Sequence, residues 1–185
     1  MRKLIYSNLI VLCLLAGAAW GAPPQSSRRT LDQSTVIQGY HCAKGYAWIY
    51  ANGSLFRCTL GQDSVIGEAT VPVGSIIALL PDGKPEYVQM SHDSSVQGYN
   101  CQGGGLLGPG EGPVVEFYPS GKLKLCFLAN DQDIQGVPCS KGGIFASLNG
   151  PDPGVIFHES GKLRRCRLTR DFAALRKGNI FQQLE

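Results

Sequence analysis

Hydrophobic and polar residues alternate in short paired runs along the chain, and a glycine-containing turn separates the runs of each pair. Three of these pairs are close copies: "YANGSLFRCTL" at residues 50–60, "YPSGKLKLCFL" at 118–128 and "HESGKLRRCRL" at 158–168. A fourth, "LPDGKPEYV", occupies residues 80–88. Recurrence of one motif at intervals of roughly 30 to 40 residues indicates an array of similar supersecondary units.

Each turn has three residues and predicts a β-hairpin. The turns end at Gly53, Gly83, Gly121 and Gly161. Glycine adopts the left-handed conformation that closes a three-residue hairpin loop at little steric cost. Counting back from the first turn, Ile49 faces Leu55 and Ala47 faces Arg57. The equivalent pairs in the other units share one face, which is mostly apolar and is expected to form the core.

The opposite face of the predicted sheet is mixed in character and carries several aromatic residues. An antiparallel sheet with one apolar and one mixed face is typically wet on one side. The aromatic residues on the mixed face have no obvious core partner, so they predict a binding surface. Its members are Trp48, Tyr50, Phe56 and Tyr118. The alternative is that another element covers this face and makes it a second core.

Six of the seven cysteines occupy repeated positions. One follows an opening glycine by three residues in three of the units, and the other follows the turn glycine by five. The second unit has Thr70 and Val88 at these positions and therefore lacks both cysteines. This joint absence favours pairing within units over pairing between units. The expected disulfides are Cys42–Cys58, Cys101–Cys126 and Cys139–Cys166. The spacing lacks the close pairs typical of metal sites, so no metal is expected.

Residues 1–21 are predicted to be a secretory signal peptide. Arg2 and Lys3 precede an apolar run that ends in small residues, with cleavage expected after Gly21. Removing them lowers the formal net charge from +3 to +1, which gives no electrostatic case for nucleic-acid binding. Six cysteines in an exported chain also fit a secreted or periplasmic location. Membrane contact is expected only through the signal segment before cleavage.

The rest of the chain divides into three predicted parts. Residues 22–35 are expected to be a disordered linker, and residues 36–170 a β-hairpin repeat domain. Residues 171–185 are expected to form a short helix and tail, with Asp171 capping the helix and Gly178 ending it. The predicted fold class is therefore all-β: an antiparallel meander of about four repeated hairpins, stapled by disulfides, with a short C-terminal helix.

The hairpin motifs "WIYANGSL", "EFYPSGKL" and "IFHESGKL" resemble MORN-like repeats, especially the bacterial antitoxin-like variants of that group. The resemblance covers residues 36–168. It implies a scaffold or binding surface of stacked hairpins without a catalytic centre. The chain departs from the family pattern by its added cysteine pairs and its varying period.

Together these observations predict an exported, non-catalytic module that binds or acts as a scaffold at the cell envelope. An envelope protein or a glycan is the expected partner, and no cofactor is expected. Two alternatives remain: a purely structural envelope spacer, and a glycan-acting hydrolase that uses carboxylates such as Glu116 or Glu68. Residues 102–113 and 140–153 are predicted insertions, where binding variation would most naturally lie.

Overall fold

The computed structural model describes residues 26–105, 112–141, 154–173, 175 and 177–183, so the predicted signal peptide lies outside the described residues. All regular structure within these ranges is β-strand. The strands are β1 (Ser26–Leu31), β2 (Thr35–Ile37), β3 (Tyr40–Tyr50), β4 (Leu55–Leu60), β5 (Ser64–Ile66), β6 (Ala69–Val71), β7 (Ile76–Leu79), β8 (Pro85–Gln89), β9 (Ser94–Val96), β10 (Tyr99–Cys101), β11 (Val114–Phe117), β12 (Leu123–Cys126), β13 (Gln132–Ile134), β14 (Val137–Cys139), β15 (Val155–Phe157), β16 (Leu163–Arg167) and β17 (Ile180–Gln182).

Ten of the strands follow one another in a single antiparallel sheet, here called the main sheet. Their order is β1-β3-β4-β7-β8-β11-β12-β15-β16-β17, and β2 pairs with the first part of β3. The sheet contains the four predicted hairpins, here called the long hairpins: β3–β4, β7–β8, β11–β12 and β15–β16. The predicted all-β meander of repeated hairpins is therefore confirmed.

A second layer consists of short two-stranded hairpins, here called the small hairpins. They are β5–β6, β9–β10 and β13–β14, together with β2 and the start of β3. Their apolar residues, such as Ile66, Val96 and Ile134, belong to the same buried cluster as Ile77 and Phe157 of the main sheet. The hydrophobic core therefore lies between the small hairpins and one face of the main sheet, here called the inner face.

The turns of the long hairpins have the predicted form. Their closing glycines all have left-handed φ angles: 84° at Gly53, 83° at Gly83, 82° at Gly121 and 85° at Gly161. The pair nearest the first turn is Ile49 and Leu55, as expected. Beyond it the register shifts by one residue, so Trp48, and not Ala47, lies opposite Arg57.

The same shift occurs in all four long hairpins, and it corrects the predicted pairing beyond the turn. Glu116 pairs with Leu125, and Ile156 with Arg165. A bulge inserts one extra residue into the second strand, and one extra residue moves every later side chain to the other face. Arg57 is thereby carried to the face opposite the core, and Cys58 is placed in the core, where it is 1 % exposed.

The three predicted disulfides are present, each within one unit. The Cα atoms lie 5.7 Å apart in Cys42–Cys58, 5.8 Å in Cys101–Cys126 and 5.6 Å in Cys139–Cys166. Each bridge joins a small hairpin to the second strand of the long hairpin in its unit. The second unit has two buried apolar residues of the core in place of the bridge. These residues are Val71 and Val88, both fully buried, and not Thr70, which is exposed.

A repeated glutamine provides a second connection between the layers. In three small hairpins the turn is Gln-Gly, and both residues have positive φ, as a type I′ turn requires. The glutamine side-chain oxygen accepts a hydrogen bond from the backbone N–H of a leucine two residues after the long-hairpin turn glycine. These pairs are Gln38 with Leu55 at 2.8 Å, Gln97 with Leu123 at 2.9 Å and Gln135 with Leu163 at 2.9 Å.

The second unit lacks both partners of this hydrogen bond. Gly67 takes the place of the glutamine, and Pro85, which has no backbone N–H, takes the place of the leucine. Gly67 instead lies against the third long hairpin, where an added Cβ would come within 2.5 Å of the Gly121 carbonyl oxygen. Glycine is therefore required here by the close approach of the two turns, whereas its φ of 60° is near the 49° to 52° that glutamine adopts at this position in the other units.

The N-terminal prediction needs correction, because residues 26–31 form β1 and not a disordered linker. This strand pairs with β3 along its whole length, from Ser26 opposite Tyr50 to Leu31 opposite Gly45. Its sequence, "SSRRTL", contains one apolar residue and gives no strand signal. Polar and charged residues are nevertheless typical of edge strands, where they discourage pairing with other chains.

The tail also differs from the prediction, because its described residues form no helix. The Asp171 carboxylate accepts a hydrogen bond from the Lys177 backbone N–H at 2.9 Å. Phe172 and Leu175 bridge one another through backbone hydrogen bonds, and β17 then pairs with β16. The tail thus begins a fifth repeat unit, and pairing with the sheet edge outweighs its local helix propensity.

Peptide mapping of the unreduced protein should recover the three within-unit disulfides and no bridge between units. Replacing Cys126 with serine should leave Cys101 free to alkylate and lower the free energy of unfolding by about 2 to 5 kcal/mol. A peptide linking cysteines of two units would contradict the assignment. Val88→Ala should cost stability without exposing any thiol and serves as the control.

Replacing Gln97 with glycine should separate turn geometry from the hydrogen bonds of the side chain. Glycine accepts the φ of 49° found at Gln97 without strain, but it removes the bonds to Leu123 N–H and to the Gly121 carbonyl. We expect the free energy of unfolding to fall by about 1 to 3 kcal/mol, measured by urea denaturation. An unchanged midpoint would show that these hydrogen bonds contribute nothing net.

Candidate functional site

The face of the main sheet that points away from the small hairpins, here called the outer face, carries a continuous row of side chains. Strand pairing places one residue from each of the ten strands in this row. The row is Arg28, Trp48, Arg57, Ala78, Tyr87, Glu116, Leu125, Ile156, Arg165 and Gln182. Every member except Ala78 is at least partly exposed, so no second layer of described residues covers this face.

The structure brings together Trp48, Tyr50 and Phe56 of the predicted surface, and it gives the two tyrosines structural contacts. The Tyr50 hydroxyl donates a hydrogen bond of 2.8 Å to the Leu79 carbonyl of the next long hairpin. The Tyr118 hydroxyl donates an equivalent 2.8 Å bond to the Phe157 carbonyl. Both bonds tie one hairpin tip to the next.

Burial further limits what Tyr50 can offer a ligand. Its side chain is only 5 % exposed, and its ring packs against Phe56 with the centroids 5.1 Å apart. Burial, followed by the negative charge of Glu86, raises the pKa of the Tyr50 phenol. The phenol therefore remains a neutral hydrogen-bond donor at physiological pH. Among the predicted residues, Trp48 is the one that belongs to the row, where it is second from the β1 edge and partly exposed.

Trp48 lies in a group of two arginines and two aromatic residues, here called the Arg–aromatic cluster: Arg28, Tyr46, Trp48 and Arg57. The Arg28 guanidinium lies 4.6 Å from the centre of the Tyr46 ring, and the Arg57 guanidinium 5.7 Å from the Trp48 ring. Tyr46 is 50 % exposed. These separations fit cation–π contacts, which hold each guanidinium beside an aromatic face.

Sequence reasoning missed three members of this cluster. The predicted linker includes Arg28. The predicted register places Arg57 on the core-facing side, because turn length alone does not reveal a bulge. Tyr46 could have been found, since it lies two residues before Trp48 in one strand and therefore shares its face. The registers of β1 with β3 and of β3 with β4 bring all these residues together.

The far end of the outer face is also basic, because β16 carries Arg165 and Arg167 on this face. The Nε atoms of both, and of Arg57 at the near end, are shielded from solvent and have no hydrogen-bond partner among the described residues. In the middle of the row, Lys124 and Glu116 form an ion pair of 2.8 Å. This bond raises the pKa of Lys124 and neutralises the one carboxylate of the row.

The two carboxylates considered for a hydrolase lie in different layers. Glu116 belongs to the outer face and is bound to Lys124. Glu68 lies in the turn between β5 and β6, beside a groove of about 240 Å³ in which the Tyr99 and Phe157 rings pack 4.6 Å apart. A glycosidase needs two carboxyl groups that flank one glycosidic bond, and these two do not form such a pair.

Among the described residues, no group of three or more histidine, cysteine or acidic side chains is placed to hold a metal ion. No described helix has the length and apolar character needed to cross a membrane. The predicted insertions lie partly outside the described residues, at 106–111 and 142–153.

Comparison of the chain with protein-family models, with curated proteins and with solved structures finds no match. The three intramolecular disulfides are typical of extracellular and periplasmic proteins. The fold and the outer face are therefore the basis for any functional conclusion.

Replacing Tyr118 with phenylalanine should test the structural role of the tip tyrosines. Loss of its hydroxyl leaves the Phe157 carbonyl without this donor, and we expect the free energy of unfolding to fall by about 1 kcal/mol. The control is Tyr87→Phe, because the Tyr87 hydroxyl has no hydrogen-bond partner among the described residues. Equal effects of the two substitutions on a chemical denaturation curve would contradict the assignment.

Proposed function

We propose that this protein is an exported, non-catalytic module that binds a partner at the cell envelope through the outer face of its main sheet. The observation that carries the proposal is the row of mostly aromatic, apolar and basic side chains that crosses all ten strands and is at least partly exposed at every position except Ala78. A surface of this kind can hold an extended molecule, because successive strands present side chains at a regular spacing of about 4.8 Å.

Export is supported by the cysteine chemistry together with the N-terminal sequence. Bridges of this kind form and persist in oxidising compartments. The basic pair and apolar run of residues 1–21 have the composition of a secretory signal peptide, which would deliver the chain to the periplasm or the exterior. We also propose that the hairpin array is of the MORN-like kind, on the basis of its repeated turn motifs.

Binding is favoured over a purely structural spacer by the position of Trp48. A spacer needs no aromatic side chain on a solvent-facing sheet, whereas tryptophan is enriched where proteins bind partners. Flat aromatic faces suit sugar rings, so a glycan of the envelope is the partner we favour. A glycan-acting hydrolase receives no support from the placement of Glu116 and Glu68 in separate layers.

The Trp48→Ala substitution tests the proposal by separating binding from stability. Because Trp48 is only half-buried, we expect the free energy of unfolding to fall by about 1 kcal/mol, far less than the 3 to 5 kcal/mol typical of a core aromatic residue. Retention of the purified mature protein on envelope material and on a glycan array should fall clearly.

The matched control is Ile49→Ala, the neighbouring residue on the other face, which packs against the core. It should lower stability by about 2 kcal/mol and leave retention unchanged at a temperature where it is folded. A Trp48→Ala protein that retains both its stability and its binding would exclude the outer face as the binding surface and leave the spacer role.

A further inference from the structure

We propose that the Arg–aromatic cluster is a binding site for a polyanionic glycan, that is, a sugar polymer bearing carboxylate or sulfate groups. This inference rests on the proposed function and names the ligand class of its binding face. It follows from three features of the cluster: the contacts of guanidinium groups with aromatic rings, the lack of neutralising carboxylates, and guanidinium nitrogens that have no hydrogen-bond partner among the described residues.

The cluster places one arginine on each side of Trp48. Arg28 and Arg57 lie in one row on β1 and β4, with Trp48 of β3 between them. Two strand spacings separate the arginines, which is a distance of roughly 10 Å. A sugar ring stacked on Trp48 would therefore have a guanidinium within reach on each side. A neutral glycan would leave both positive charges without a counter-charge.

The charge distribution of the molecule favours an anion at this face. The row contains three arginines and one carboxylate, Glu116, which is already paired with Lys124. Glu86 lies beside Tyr50, toward the hairpin tips. Other carboxylates are held in the loops of the second layer, where Asp63, Asp93 and Asp131 accept backbone hydrogen bonds. The mature chain is thus close to neutral overall but basic on its outer face.

The donors of the cluster point to the same ligand class. Arg57 has a shielded Nε atom and donates from one terminal nitrogen to Gln89 at 3.0 Å, which fixes the guanidinium on the sheet. Its other terminal nitrogen has no hydrogen-bond partner among the described residues. Arg28 is exposed and contacts the Tyr46 ring without forming an ion pair with any described residue. Planar guanidinium groups held in this way bind carboxylate and sulfate oxygens through directed hydrogen bonds.

Edge strand β1 supplies a matched pair of variants for the test. Arg28 and Arg29 are adjacent and both exposed, yet Arg28 lies opposite Trp48 on the outer face whereas Arg29 lies opposite Ala47 on the inner face. Arg28→Gln and Arg29→Gln change the net charge equally and remove no described hydrogen bond or ion pair. Equal thermal melting curves would show that both variants are folded.

Binding should be measured by calorimetry with three polymers that share one backbone: dextran, carboxymethyl dextran and dextran sulfate. We expect the mature protein to bind at least one of the two anionic polymers more tightly than dextran. Arg28→Gln should weaken that binding by about fivefold, and Arg29→Gln by less than twofold. The two anionic polymers distinguish a carboxylated from a sulfated natural ligand.

Several results would overturn the inference. Equal weakening by the two substitutions would show unspecific attraction to net charge. Tight binding to vesicles containing anionic phospholipid, lost in Arg28→Gln, together with no polymer binding, would assign the cluster to a membrane surface. Retention on envelope material that Trp48→Ala reduces but Arg28→Gln does not would leave the proposed function standing without the anionic ligand. Absence of retention on envelope material and on all three polymers would overturn both.

Discussion

The structure depends on the attachment of each small hairpin to the long hairpin beneath it. A single antiparallel sheet leaves one apolar face in water unless another layer covers it. Here that layer consists of separate small hairpins, one in each unit. In three units a disulfide and a glutamine hydrogen bond fix the hairpin at two points. In the second unit Val71 and Val88 fill the position of the bridge, and Gly67 packs directly against the neighbouring turn. The core is thus the same in all units, although the means of attachment differs.

Repetition explains which features of the fold could be predicted. The turn glycines and the cysteine positions occur several times, so each assignment was supported by independent copies. The Gln-Gly turns also recur, and the loss of glutamine together with the leucine N–H at Pro85 was a signal that could have been found. Features that occur once could not be supported in this way. Strand β1 and the strand in the tail gain their structure from pairing with a neighbour, which local composition does not record.

The candidate site was predicted only where it depends on alternation within one strand. Trp48 shares a face with Tyr46 and Tyr50 because side chains in a strand alternate, and this needs no knowledge of the neighbouring strand. The contribution of Arg57 depends on a bulge, and that of Arg28 on an edge pairing, so both required the structure. The hydroxyl bonds of Tyr50 and Tyr118 depend on the distance between adjacent hairpin tips. Tyr50 and Tyr118 thus join adjacent hairpins, whereas Trp48 lies partly exposed in the row.

The main sheet ends in a partial unit at each edge, with β1 at one edge and β17 at the other. Because β1 resembles the second strand of a unit and β17 the first, a duplicated unit could be inserted anywhere in the sheet without altering either edge. Each insertion would lengthen the outer face by two strands, or roughly 10 Å. The ten strands of the main sheet now span roughly 43 Å at the usual strand spacing. Gene duplication would therefore change the length of the outer face only in steps of one unit, while the covering layer keeps the same contacts.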